Sequence, residues 1–190
     1  MEAFVLRSAR QLAADAQRRI LREGDTAVDC TLGNGHDTCY LASLVGETGR
    51  VIGFDLQPDA VARTEERLRE AGLLERCELR CAGHERIAEF VTRPVRCIVF
   101  NLGWLPGGDK SVTTLWPTTR RAVTDALSLL APMGLLTLCA YPGHAAGEEE
   151  LRGLRELLAS LRPQDFNVLH QRFLNAGPGA PECFLVQRQA

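Results

Sequence analysis

Residues 29–38 read Asp-Cys-Thr-Leu-Gly-Asn-Gly-His-Asp-Thr, and a further carboxylate, Asp55, stands twenty residues beyond Gly35. A glycine turn between an apolar strand and a helix, with an acid closing the next strand, is the layout of a site for an adenosine-bearing cofactor. Gly33 and Gly35 let the backbone approach a ligand. Asp55 can accept hydrogen bonds from both hydroxyls of a ribose, and Gln57 is placed near the ribose or the adenine edge.

Charge chooses among such cofactors. A dinucleotide rests its pyrophosphate on the helix N-terminus, where this loop carries Asp37. At ~4 Å and an effective dielectric near 20, each like-charge contact costs about 4 kcal/mol before screening. Thr38 also stands where a dinucleotide loop places its third glycine. S-adenosylmethionine has no phosphate and carries a sulfonium and an α-ammonium, which Asp29, Asp37 or both favour. Asp37 is equally a candidate helix N-cap, and the two roles are compatible.

After the apolar run Val95–Phe100 comes Asn101-Leu-Gly-Trp104. The Asn101 side-chain oxygen and the Leu102 carbonyl can each accept from an amine, and Trp104 can stack on a planar base. The segment resembles the Asn-Pro-Pro-aromatic motif of amino-group N-methyltransferases, without its two prolines. Further along, Gly107-Gly-Asp-Lys110 supplies a hinge and the one lysine of the chain. Lys110 is a candidate phosphate contact. Asp109 or His144 is a candidate acceptor for the proton of an attacking ammonium. His170, inside a strand-like run, reads as a packed histidine.

These side chains must be held by something. The chain has 190 residues, 45% apolar and 24% charged, which suits one soluble domain over residues 1–190, with 1–24 a lead-in helix. The net charge is −2, so no global basic field holds a nucleic acid; twenty-one of the 22 basic residues are arginine. Seven cysteines without a Cys-x-x-Cys pair argue against a metal site and against disulfides. With no signal peptide and no membrane-spanning run, a cytoplasmic protein is expected.

The patterning predicts strands at Thr26–Thr31, Arg50–Asp55, Cys77–Cys81, Val95–Phe100, Leu135–Ala140, Phe166–Phe173 and Cys183–Arg188. Helices are predicted over residues 3–22, Asp37–Val45, Pro58–Ala71, Glu85–Val91, Thr118–Ala131 and Glu148–Leu161. Strand–helix alternation with a closing hairpin gives an α/β fold: a doubly wound, Rossmann-like, seven-stranded, mostly parallel sheet ending in an antiparallel hairpin. The loops after the strands, including Tyr141–His144, then converge on one crevice.

The segments at 29–38, Gly53-Phe-Asp-Leu-Gln57, Gly83-His-Glu85, Asn101–Lys110, Tyr141-Pro-Gly-His144 and Glu148-Glu-Glu150 together resemble a bacterial rRNA methylase family of class I S-adenosylmethionine-dependent methyltransferases. Members of that family methylate the aminomethyl group of 5-aminomethyl-2-thiouridine at the tRNA wobble position. The resemblance implies a cofactor site of Asn34, Asp37, Thr38, Asp55, Gln57 and His84, with Asn101 at its edge. It places Asn101, Gly103, Asp109 and His144 on the acceptor side, beside Trp104, Lys110 and Tyr141. It further implies a tRNA partner, no metal and a homodimer. Methylation of rRNA or of a small amine, a nicotinamide oxidoreductase and a non-catalytic cofactor-binding module are the other readings open to the sequence.

Overall fold

The computed structural model describes residues 6, 8–105, 107 and 112–190. Helix α1 (Ala9–Ile20) starts at a capping box in which Ser8 and Gln11 satisfy each other's backbone N–H groups. Then follow β1 (Thr26–Asp29), α2 (His36–Val45), β2 (Arg50–Asp55), α3 (Pro58–Glu70) and β3 (Cys77–Cys81). A 3-10 turn at His84–Arg86 runs into the short α4 (Ile87–Phe90) and β4 (Val95–Asn101). The chain closes with α5 (Trp116–Leu129), β5 (Leu130–Ala140), α6 (Ala145–Ala159), β6 (Phe166–Gln171) and β7 (Glu182–Arg188).

The seven strands form one sheet in the order β3-β2-β1-β4-β5-β7-β6. Strands β1 to β5 pair in parallel, and β7 is inserted antiparallel between β5 and β6. This is the expected doubly wound sheet with its C-terminal hairpin. Alternation along each strand divides the core. Val28, Ile98 and Phe100 face a cluster with Ile87, Ala122 and Leu154 of α4, α5 and α6. Ala27, Cys97 and Val99 face Leu41, Val45 and Leu68 of α2 and α3. Both faces are covered, which is why the central strands read as unbroken apolar runs.

Several boundaries differ from expectation. Strand β1 stops at Asp29, because Asp29 turns its carboxylate back to the Thr31 N–H at 3.0 Å. Helix α5 begins at Trp116 with Pro117 in its first turn, where a missing N–H is tolerated. Helix α6 begins at Ala145 rather than Glu148, since the His144 side chain caps it by accepting from the Gly147 N–H. In β5, residues 131–134 bulge opposite Arg96, and Met133 takes a positive φ of 61° there.

The chain runs from β1 outward to β3 and then crosses back to β4 on the other side of β1. A crevice therefore opens beyond the carboxyl ends of β1 and β4.

Candidate active site

A cavity of about 540 Å³ fills that crevice. Its walls come from α1 and from the loops after β1, β2, β3, β4 and β5. Asp55 anchors the floor of the cofactor side. Its Oδ2 accepts from the Gly33 N–H at 2.9 Å and its Oδ1 from the Gln57 N–H at 3.0 Å. Each oxygen is left with a lone pair, which is what a ribose diol requires. Leu56, 64% exposed, lies on the same wall as Gln57 and offers apolar surface to an adenine.

The two loop glycines serve different ends. Gly33 has φ +54° and borders the cavity near Leu105. Gly35 has φ +77° and is itself the N-cap of α2, so Asp37 is a first-turn residue and not the cap. A Cβ on Gly35 would stand 3.0 Å from Thr64 of α3, so its small size is demanded by helix packing and not by a ligand. Asn34 lines the cavity, and its carbonyl accepts from the Arg67 guanidinium at 2.7 Å.

The acids also divide. Asp29 is fully buried and does not line the cavity. Its Oδ2 accepts from the Thr38 hydroxyl at 2.7 Å. Asp29 and Thr38, expected at the ligand, form a buried pair that does not line the cavity. Desolvation raises the Asp29 pKa to about 7, with the Asp37 charge adding to the rise and the Thr38 and Thr31 hydrogen bonds opposing it. Asp37 does line the cavity, but both its oxygens are engaged. The Arg10 guanidinium reaches Oδ1 at 2.8 Å and the Asn101 amide donates to Oδ2 at 2.7 Å.

That second bond fixes Asn101. A carboxylate accepts only, so the amide must turn its NH₂ to Asp37 and its oxygen away. The Asn101 Oδ1 is buried with no hydrogen-bond partner among the described residues. An orphaned acceptor in a cavity wall is what the N–H of a bound molecule would satisfy.

The loop after β4 is held from below. The Gly103 N–H donates to the Thr114 hydroxyl at 2.7 Å, and that hydroxyl donates to Glu150 at 2.6 Å. The Thr119 hydroxyl of α5 meets the other Glu150 oxygen at 2.5 Å. Glu150 is 1% exposed, and burial raises its pKa against these two hydroxyl bonds. Gly103 itself takes φ +120°, a left-handed conformation that favours glycine, with Tyr141 packed close by.

Trp104 and His144 pack ring to ring at 4.2 Å in the cavity wall. The His144 Nδ1 accepts from the Gly147 N–H at 3.2 Å, so a neutral ring carries its proton on Nε2. His144 is expected as a proton acceptor; its Nδ1 is taken up in capping α6, and its buried Nε2 has no hydrogen-bond partner among the described residues. His84 is 8% exposed and lies edge-on to Phe100 at 5.6 Å. Burial lowers its pKa and keeps it neutral. His170, expected to be a packed histidine, instead stands exposed on the edge strand β6, stacked on Phe184 at 4.3 Å and 2.6 Å from the Glu182 carboxylate. Asp109 and Lys110 lie outside the described residues.

Sequence reasoning missed Arg10 and Glu150. Arg10 sits 27 residues from Asp37, and no local pattern links the two. Glu150 enters the sequence reading only within the Glu148-Glu-Glu150 segment, with no role attached; it lies four residues before Leu154 and so shares that residue's buried face. Among the described residues no group of three His, Cys, Asp or Glu side chains can hold a metal ion. All seven cysteines are free, and among the described residues no helix is long and apolar enough to cross a membrane.

The strand order, the acid closing β2 and the cavity at the β1/β4 switch define a class I S-adenosylmethionine-dependent methyltransferase. Residues 51–187 match the model of the family described as "Putative rRNA methylase", and the chain belongs to that family. It is 34% identical to the chloroplastic tRNA (mnm(5)s(2)U34)-methyltransferase of Arabidopsis thaliana over 98% of this chain and 72% of that one. The rRNA methylase structure from Clostridium thermocellum superposes with a TM-score of 0.95 at 37% identity, over 97% of this chain and all of the other. A Streptococcus mutans methyltransferase in complex with S-adenosylhomocysteine gives a TM-score of 0.88 at 29% identity, over 97% and 99% of the two chains.

Proposed function

We propose that this methyltransferase transfers the methyl group of S-adenosylmethionine to an amine of RNA, specifically the aminomethyl group of a 5-aminomethyl-2-thiouridine at the tRNA wobble position. The observation that carries the reading is Asn101. Asp37 holds its amide so that a buried oxygen without a partner is left at the cavity wall. An aminomethyl nitrogen supplies the missing N–H. The Trp104 and His144 rings beside it form a wall against which a pyrimidine can lie, and the proton on His144 Nε2 can meet a base oxygen or sulfur. The kinship with the Arabidopsis tRNA enzyme supports the RNA part.

On the cofactor side, Asp55 and Gln57 receive the ribose, with Leu56 and Gly33 against the adenosine. Asp37 supplies negative potential near the sulfonium. When bound, S-adenosylmethionine would supply an electrophilic methyl group to the amine lone pair, with a neutral thioether as the leaving group. The chain's own task is positioning, which for an in-line displacement can supply roughly 7–11 kcal/mol of the barrier. A wall of apolar and neutral groups also disfavours the ammonium form of the acceptor, so the nucleophile arrives neutral.

The test is to incubate the purified chain with S-adenosylmethionine and tRNA that carries the unmethylated aminomethyl nucleoside, then to analyse nucleosides by mass spectrometry. One added methyl on that nucleoside is the expected result, and Asn101→Ala should abolish it while leaving cofactor affinity within about twofold. Methylation of rRNA alone, or transfer undiminished by Asn101→Ala, would overturn the reading.

A further inference from the structure

A second cavity, of about 500 Å³, lies beside the first between α6 and the 172–181 connection of β6 to β7. Gly179 lines both. It packs on Gly143 so closely that a Cβ at Gly179 would stand 3.0 Å from the Gly143 Cα. A contact between two glycines is therefore what separates the acceptor side of the first cavity from the second.

The second cavity is lined by Arg152, Arg155 and Arg172, with Glu148 and Glu182 as its opposing charges. Glu182 is already matched: Arg155 and His170 each approach its Oε2 at 2.6 Å. Arg152 and Arg172 enter no ion pair among the described residues, and Glu148 alone stands against them. A local positive excess in a chain of net charge −2 is a focused field rather than a general one. Leu174, 87% exposed on the same wall, offers apolar surface to a sugar or a base.

We propose that this basin binds a phosphodiester of the RNA strand adjoining the nucleotide whose base enters the first cavity. Arg152 and Arg172 take the phosphate, and Arg155 is committed to Glu182 as the wall that holds the loop. The inference rests on the RNA reading above and specifies where the strand runs. Guanidinium groups suit the task, since they present paired donors to phosphate oxygens and keep their charge.

The experiment uses the full chain saturated with S-adenosylhomocysteine and a fluorescent single-stranded oligouridine as probe. Affinity is read by anisotropy over a range of salt, and the KM values for tRNA and for S-adenosylmethionine are measured alongside. Arg152→Glu/Arg172→Glu is compared with Arg18→Glu/Arg19→Glu, an equal change of charge on exposed residues of the last turn of α1. The basin pair should weaken oligouridine binding at least ~10-fold and reduce the salt slope by roughly 0.7, the loss of one single-strand phosphate contact. It should raise the KM for tRNA and leave that for S-adenosylmethionine unchanged. Equal losses from both pairs, or an unchanged slope in the basin pair, would overturn the proposal. Wild-type methylation of tRNA with an unaffected basin pair removes the basin and keeps the function. Oligouridine binding that depends on the basin, in a protein that methylates no tRNA, does the reverse.

Discussion

A single buried carboxylate sets a pH dependence that the surface does not show. Burial keeps the proton on Asp29 up to about 7, whereas an exposed aspartate gives it up near 3.8. Between those values the folded chain binds a proton that the unfolded chain does not. The stabilisation from this group is thus complete below about pH 4 and is lost as the pH rises through 7. Its ceiling is on the order of 4 kcal/mol. Asp29→Asn removes the titration, so the Tm of the variant relative to wild type should climb between about pH 4 and pH 8 in a series of thermal melts. A gap that stays constant with pH would show that Asp29 is ionised throughout. The same residue ties stability to function, because a cation bound above it favours loss of that proton.

Among the elements, α6 holds the acceptor loop through Glu150. Glu150→Ala leaves the Thr114 and Thr119 hydroxyls without their acceptor and frees Gly103, at a stability cost of about 1–3 kcal/mol. A loop displaced by ~1 Å can lower kcat on the order of 100-fold. We expect that loss with cofactor affinity unchanged by calorimetry, and partial recovery in Glu150→Gln, which keeps one acceptor oxygen. Equal collapse of kcat and cofactor affinity would mean that Glu150 supports the whole fold and not the loop. The elements themselves were legible because an unbroken apolar run and a period-3.6 pattern register burial directly, as Cys97–Phe100 and Leu151–Leu158 do. Asp55 was legible too, since its partners Gly33 and Gln57 belong to the same strand–turn–helix unit. Arg10, Glu150 and the burial of Asp29 were not, because each depends on contacts between elements far apart in sequence. The cap of α6 was missed for a similar reason: histidine is a rare N-cap, and only the fold shows its ring turned onto the Gly147 N–H.

For the molecule as a whole, the first cavity draws walls from α1 and from five strand-end loops, so a ligand there braces parts that otherwise meet only through the sheet. S-adenosylhomocysteine at about 100 times its Kd adds roughly 2.7 kcal/mol of stability. In a chain of this length that is a rise of ~5–10 °C in Tm. NADH should give none, because Asp37 opposes its diphosphate, and Asp55→Ala should erase the rise with S-adenosylhomocysteine. An equal shift with NADH would reopen the dinucleotide reading. Asp37 also has a meaning for the history of such a site. One side chain lines the cavity, steadies the lead-in helix through Arg10 and orients the amide of Asn101. A mutation there changes three properties in a single step, so a lineage exploring new acceptors gains more by varying Trp104 or His144 and leaving Asp37 in place.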